Sequence, residues 1–139
     1  MATNQLIDVA IIGGGPAGYA AAIYTARANL STTVIEQGMS GGQIATTNEV
    51  ENYPGIPLLS GVELGERFQQ HAKGLGAQVE WSMVTGIDYD ADASLFTVHH
   101  DTGETIARSV IACMGATPRP AGFVGEDAYR GRGVSYCAT

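Results

Sequence analysis

The sequence predicts an α/β fold in which a parallel sheet is flanked by helices and extended by an antiparallel meander. An apolar run from Ile7 to Ile12 stops at a glycine-rich turn, and a helix-compatible segment from Pro16 to Ala28 follows at once. A second short apolar run, Thr32 to Ile35, ends at Glu36. Further along, short strand-like runs alternate with polar turns, which is typical of an antiparallel meander.

The turn between the first strand and the first helix has the spacing G-x-G-x-x-G, at Gly13, Gly15 and Gly18. Gly13 permits the tight turn, Gly15 lets the main chain approach a pyrophosphate, and Gly18 lets the helix pack close to the strand. The N-terminus of the helix adds a partial positive charge that favours phosphate. The pattern therefore predicts a dinucleotide site, and the flanking strand and helix disfavour a glycine turn without a ligand.

Glu36 stands at the end of the second predicted strand, where a carboxylate accepts hydrogen bonds from the ribose of a bound adenosine. The loop from Gln37 to Ser60 is long for a compact domain, which indicates a functional loop, an unrecognised helical turn, or both. Ser60 and Glu63 form a capping box that starts a second helix, which ends at glycines 74 and 76. A third parallel strand is expected from Gln78 to Met83.

The region after this strand changes pattern and predicts three short strands in place of a helical crossover. They are expected at Gly86 to Tyr89, Leu95 to His99 and Thr105 to Arg108. The apolar run from Val110 to Met114 then returns to the main sheet and ends at Gly115.

Composition narrows the classes of function. The formal charge is −7, the sequence pI is near 4.7, and lysine and arginine together number only 7, so nucleic acid and anionic membranes are unfavourable partners. No apolar run approaches the ~20 residues needed to cross a bilayer, and the first residues show no secretory signal. Two cysteines are too few for a disulfide scaffold. We expect a soluble cytoplasmic protein.

Metal binding is not expected. Asp88, Asp90 and Asp92 imitate the start of a calcium loop, but Ala93 stands where that loop needs glycine and His99 stands where it needs an acid. His99 and its neighbour at position 100 point to opposite faces of a strand, so they make a poor pair of ligands.

Four stretches carry a resemblance to a known family. They are G-G-G-P-A-G at 13–18, G-G-Q at 41–43, V-E-N-Y-P-G at 50–55 and G-R-G-V-S-Y-C-A-T at 131–139. Together they resemble the bacterial thioredoxin reductases, FAD-dependent pyridine nucleotide-disulfide oxidoreductases that use NADPH. The resemblance implies a Rossmann-like FAD-binding domain of three layers that is incomplete at its C-terminal end. Residues 1–117 would be its first segment and 118–139 a connector.

The resemblance also assigns residues to the cofactor. The glycine turn would hold the FAD pyrophosphate, Glu36 the adenosine ribose, Val84 the adenine, and Gly41 to Gln43 with Asn52 the ribityl chain and flavin. The implied cofactor-binding residues are Gly13, Gly15, Pro16, Ala17, Gly18, Glu36, Gln37, Gly41, Gly42, Gln43, Asn52, Val84 and Gly115. One departure affects them: Cys113-Met114 replaces the Ala-Thr that usually precedes Gly115, so a threonine hydroxyl is lost.

The family's redox motif is Cys-x-x-Cys, and this sequence reaches Cys137-Ala138-Thr139 and ends where the second cysteine would stand. The resemblance implies an amino-terminal piece of a longer protein whose NADPH-binding domain is absent here. In the intact protein electrons would pass from NADPH through FAD to the disulfide of Cys137, the catalytic cysteine, and on to thioredoxin, and the enzyme would be a homodimer. Alone, the piece is expected to be marginally stable, to bind FAD weakly and to lack reductase activity.

Three alternatives remain open. A relative without the dithiol, such as a ferredoxin–NADP reductase of the same architecture, would share the fold. An NAD-dependent dehydrogenase domain would use Glu36 equally well, although the meander and the Gly-Gly-Gln loop argue against it. A catalytically inactive FAD-binding or assembly fragment is the third. Cysteine immediately after Thr139 in the reading frame would favour the reductase.

Overall fold

A computed structural model describes residues 6–136 as six strands, two α-helices and one short 3-10 helix. The strands are β1 (Ile7–Ile12), β2 (Thr32–Glu36), β3 (Gln78–Trp81), β4 (Val84–Asp90), β5 (Leu95–His100) and β6 (Gly103–Ala112). The helices are α1 (Pro16–Arg27) and α2 (Gly61–Gly74), and the 3-10 helix is Gly42–Thr46. Cys137, the predicted catalytic residue, lies outside the described residues.

The strands form one hydrogen-bonded sheet in the order β3-β2-β1-β6-β5-β4. β3, β2 and β1 are parallel, β6 runs parallel to β1, and β4, β5 and β6 are antiparallel. This confirms the predicted combination of a parallel sheet with a meander.

One detail of the strand prediction was wrong. The expected strands Thr105 to Arg108 and Val110 to Met114 are a single strand, β6, which pairs with β5 up to Ala107 and with β1 from Ala107 onward. Polar Ser109 lies between the two expected segments, and its hydroxyl donates to the carbonyl of Asp8 at 2.8 Å, so the polar side chain is satisfied while the strand continues.

The sheet is strongly bent, because its two edge strands are joined by only Ser82 and Met83. Three Cα steps from Trp81 to Val84 reach at most about 11 Å, whereas five flat strand spacings would need about 24 Å. The meander must therefore turn back across one face of the parallel strands, and the bend falls within β6, where its partner changes.

The two faces of the parallel strands bury different sets of side chains. Val9 and Ile11 of β1 face the helices, where they pack in one cluster with Tyr19, Ala22 and Ala72. The alternate residues of β1 and β2 face the meander and form a second cluster, whose members are Ala10, Ile12, Ile35, Val98 and Ala107. This alternation is the period of two expected of a strand buried on both sides. The layers are helices, parallel strands and meander.

The second helix begins where the capping box predicts. The Ser60 hydroxyl accepts from the Glu63 amide at 3.2 Å, and the Glu63 carboxylate accepts from the Ser60 amide at 3.1 Å. The loop before it contains the 3-10 helix, so one of the interpretations of residues 37–60 is confirmed. A small cluster of Val50, Leu59 and Leu64 fastens this loop to α2.

Residues 118–136, the described part of the predicted connector, are held together by a carboxylate. Glu126 accepts hydrogen bonds from the amides of Ala121 and Gly122 and from the hydroxyl of Tyr136. These bonds, with that from the Tyr136 hydroxyl the largest cause, lower the pKa of Glu126 below its usual range. The boundary between a first segment at 1–117 and a connector stays a prediction.

Candidate functional site

Each of the three glycines of the first turn meets a different structural requirement. Gly13 has φ of +101°, and a Cβ there would lie 2.3 Å from the Cys113 carbonyl oxygen. A Cβ on Gly18 would lie 1.8 Å from the Gly13 carbonyl oxygen, so α1 packs against the turn through bare main chain. A Cβ on Gly15 would meet only the Gly41 carbonyl oxygen, at 3.9 Å. Two of the glycines hold the turn together, and Gly15 leaves open space beside it.

That open space lies at the N-terminus of α1. Gly15 is the N-cap of the helix, Pro16 follows it, no side chain caps the first turn and no acidic residue stands in it. Gly15, Pro16 and Ala17 all line a cleft. The partial positive charge of the helix end is therefore presented to the cleft without a neutralising side chain, which suits a phosphate group.

Glu36 lies beside this turn with its carboxylate fixed by main-chain amides. Its Oε2 accepts from the Gly14 amide at 2.5 Å and its Oε1 accepts from the Gly38 amide at 2.7 Å. The residue is 9 % exposed and lines the cleft. Since a carboxylate has about four acceptor positions, two remain for donors such as the hydroxyls of a ribose.

The loop of residues 37–60 closes over the same turn. The Gly41 amide donates to the Gly14 carbonyl at 2.8 Å, and Gly42 has φ of +56°. A Cβ on Gly42 would lie 3.4 Å from the Gly15 Cα, so glycine lets these two segments approach each other closely. Tyr19 supports the loop from below, with its hydroxyl 2.8 Å from the Ser40 Oγ.

Together these elements enclose a cleft of about 840 Å³, within the 300–1,000 Å³ usual for small-molecule sites. Gln43 closes one end, where its side-chain amide donates to the Ala116 carbonyl. Ser82, from the crossing between β3 and β4, and Val84, the first residue of β4, form part of the wall.

Ten of the 13 predicted cofactor-binding residues line this one cleft. They are Gly13, Gly15, Pro16, Ala17, Glu36, Gln37, Gly42, Gln43, Val84 and Gly115. Gly18 and Gly41 lie behind the cleft surface, where the first packs on Gly13 and the second on Gly65. Asn52 is exposed and does not line the cleft. Contact of these residues with FAD stays a prediction.

Several contributors were missed by reasoning from the sequence, among them Gly14, Ser82, Ala116 and Thr117. Gly14 orients Glu36 through its amide, and a Cβ there would lie 3.1 Å from the Glu36 Oε2. Ala116 and Thr117 extend the wall beyond Gly115. The only signal in the sequence was the third glycine inside the G-x-G-x-x-G turn.

Cys113 lies at the cleft with its amide donating to the Ile12 carbonyl at 2.8 Å. Its side chain packs on the helix-facing cluster, and burial raises the pKa of its thiol. A thiol held in its neutral form is a poor nucleophile. Cys113 is therefore poorly suited to act as a redox cysteine.

Within residues 6–136, no three His, Cys, Asp or Glu side chains are arranged to hold a metal ion. In the same range, no helix is long and apolar enough to cross a membrane.

The turn, the fixed carboxylate and the cleft define a dinucleotide-binding α/β domain. The model of the pyridine nucleotide-disulphide oxidoreductase family matches residues 7–139, and the chain belongs to this family.

Within this family, the chain resembles curated and structurally solved thioredoxin reductases. The chain is 44% identical to the thioredoxin reductase of Bacillus subtilis strain 168, over 99% of this chain and 43% of that protein. It is 46% identical to the thioredoxin reductase of Peptoclostridium acidaminophilum, over 98% of this chain and 43% of that protein. The structure of Lactococcus lactis thioredoxin reductase superposes with a TM-score of 0.80 at 42% identity, over 95% of this chain and 43% of the other. The chain thus spans less than half the length of these relatives.

Proposed function

We propose that this chain is the FAD-binding portion of an NADPH-dependent thioredoxin reductase. The cleft carries the proposal, because its open glycine at position 15, its uncapped helix end and its fixed Glu36 carboxylate suit the pyrophosphate and ribose of a dinucleotide. The high identity to thioredoxin reductases supports FAD over NAD as the occupant.

The residues of the chain divide the binding of FAD among them. The amides at the start of α1 would bind the pyrophosphate, Glu36 would accept from the ribose hydroxyls, and the wall containing Gly42 and Gln43 would lie along the flavin half. When bound, FAD supplies two-electron transfer between NADPH and a disulfide.

Cys137 is proposed as one sulfur of that disulfide, with the second cysteine, the NADPH-binding domain and a homodimer partner outside residues 1–139. The electron pair would break the S–S bond, two protons would complete the two thiols, and a disulfide of thioredoxin would then be reduced by exchange. The proposal keeps the cytoplasmic location that the sequence led us to expect.

A test of the cleft uses Gly15→Ala, because a methyl group there enters the cleft without touching the protein closely. FAD binding should be saturable in the unchanged protein and at least ~10-fold weaker in Gly15→Ala, measured by quenching of flavin fluorescence. Gly74→Ala, at an open helical position, is the matched control and should bind FAD normally. Equal FAD affinity in Gly15→Ala and the unchanged protein would overturn the proposal.

The electron path needs its own test in the full-length protein. Cys137→Ser should abolish NADPH-dependent reduction of thioredoxin while FAD stays bound and is still reduced by NADPH. Glu66→Gln, at an exposed position of α2 away from the cleft, is the control and should keep the activity. Thioredoxin reduction that survives Cys137→Ser would refute the role proposed for this cysteine.

A further inference from the structure

The wall of the cleft next to Glu36 is made by the short crossing between β3 and β4. Ser82 is 4 % exposed, and its amide donates to the Glu36 carbonyl at 2.9 Å. Ser82 and Val84 both line the cleft. Because Glu36 is proposed to hold the ribose, the base beyond that ribose would lie against this crossing. The position of residues 82–84 therefore shapes the adenosine end of the cleft.

A buried histidine stands behind the crossing. The side chain of His100 is 3 % exposed. Its Nδ1 lies 3.0 Å from the Ser82 Oγ and 2.9 Å from the Thr102 Oγ1, and its Nε2 lies 3.1 Å from the Thr105 Oγ1. We call this group the polar seam, and its members are Glu80, Ser82, His100, Asp101, Thr102 and Thr105. Neither the proposed binding of FAD nor the proposed electron path uses His100.

The direction of the hydrogen bonds in the polar seam follows from its two carboxylates. The Ser82 hydroxyl donates to the Asp101 Oδ1 at 2.5 Å, and the Thr102 hydroxyl donates to the Glu80 Oε1 at 3.0 Å. Each hydroxyl has a single hydrogen, so both oxygens can only accept from His100. The Nδ1 of His100 must therefore carry a hydrogen, which it shares between the two hydroxyls.

The turn between β5 and β6 fixes the crossing a second time. The Met83 amide donates to the Asp101 Oδ1 at 2.9 Å, and the Asp101 amide donates to the Met83 carbonyl at 3.1 Å. Ser82 is thus held by its side chain, and Met83 by its main chain. The polar seam fastens the meander to the parallel strands at the wall of the cleft.

We propose that His100 is a positioning residue for the adenosine half of the bound dinucleotide. Its Nδ1–H orients the hydroxyls of Ser82 and Thr102, and these fix the main chain of residues 82–84 against which the base lies. The inference rests on the proposed function, because it needs a dinucleotide with its adenosine beside Glu36. His100 acts through Ser82 and touches no part of the reacting flavin.

The test separates the two halves of FAD by using ADP and FMN as probes. Thr102→Val removes one hydroxyl at nearly constant volume, and His100→Leu removes the shared hydrogen. We expect ADP to bind about three- to tenfold more weakly to each variant, the cost of one lost hydrogen bond, while the Kd for FMN stays within about twofold. Thr102→Ser restores the hydroxyl and should restore ADP affinity.

Thr97→Val is the matched control, since Thr97 lies on β5 and faces away from the cleft. It should leave both ligands unaffected. If Thr102→Val binds ADP as the unchanged protein does, or if ADP and FMN weaken equally, the positioning role is wrong. Failure of the unchanged protein to bind ADP or FAD would instead overturn the proposed function. Thr102→Val alone decides the matter if His100→Leu does not fold.

Discussion

The two ends of the cleft are built in opposite ways. At the end proposed to hold the pyrophosphate, residues 13–18 form a turn whose key positions have no side chain, and main-chain atoms touch directly. At the end proposed to hold the adenosine, the polar seam joins side chains from β3, β5, β6 and the links between them. We expect an added carbon to disrupt the first end and a removed hydroxyl to weaken the second. One end depends on close packing and the other on satisfied hydrogen bonds.

The largest effect is expected within the glycine turn. Gly18→Ala places a Cβ 1.8 Å from the Gly13 carbonyl oxygen, so the main chain must move. We expect a loss of about 3 kcal/mol or more in the free energy of unfolding, measured by urea titration. Gly15→Ala should cost only the ~0.5–1 kcal/mol of a poorer N-cap. Equal losses at the two positions would show that Gly18 is not needed for packing.

A smaller loss is expected where the meander covers the parallel strands. Val98 is fully buried between the layers, so Val98→Ala should lower the free energy of unfolding by about 2–3 kcal/mol through lost burial and a cavity. Val124→Ala is the matched control, because Val124 is completely exposed and should contribute nothing measurable. If the meander does not pack on the sheet, Val98→Ala and Val124→Ala will have the same free energy of unfolding.

The same contrast explains which parts of the structure the sequence predicts. The turn, Glu36 and α1 lie within 30 residues of one another, and their spacing alone indicates how they meet. The capping box of Ser60 is local in the same way. These features were predicted with nearly correct bounds because each depends on neighbours in the chain.

The polar seam could not be predicted in this way. Ser82 and His100 are 18 residues apart and meet because the antiparallel pairing of β4 and β5 sets Val84 opposite His100. The expected strands, Gly86 to Tyr89 and Leu95 to His99, stopped short of Val84 and His100, so the pairing could not be anticipated. Asn52 is a different case: its assignment came from resemblance, it lies outside the lining of the cleft, and its contact with FAD stays a prediction.

Glu36 lies between the two ends of the cleft, so a substitution of Glu36 tests how these ends are joined. Glu36→Gln replaces one acceptor oxygen with an NH2 group, which cannot accept, so only one of the Gly14 and Gly38 amides keeps its acceptor. We expect about 1–2 kcal/mol less stability toward urea and weaker FAD binding. Glu66→Gln, at an exposed position of α2, is the control. Unchanged stability would mean that the two amides do not need the carboxylate.

The smallest effect concerns His99, the neighbour of His100 on the opposite face of β5. Its Nε2 lies 2.8 Å from the Asp88 Oδ2 and its Nδ1 lies 3.0 Å from the Glu104 Oε1, so the protonated ring can donate to both strands beside it. The hydrogen bond to Asp88, with the charges of both carboxylates, raises the pKa of His99.

Because the pKa is raised in the folded state, this stabilisation is fully present below the ordinary pKa of about 6.5 and is lost as pH rises through the folded value. The difference in Tm between the unchanged protein and His99→Gln should therefore be larger at about pH 6 than at about pH 8.5. The effect is small because these groups are exposed and screened by salt. His71→Gln on α2 controls for loss of an exposed histidine. A Tm difference that is constant with pH would show that His99 stabilises the meander without its charge.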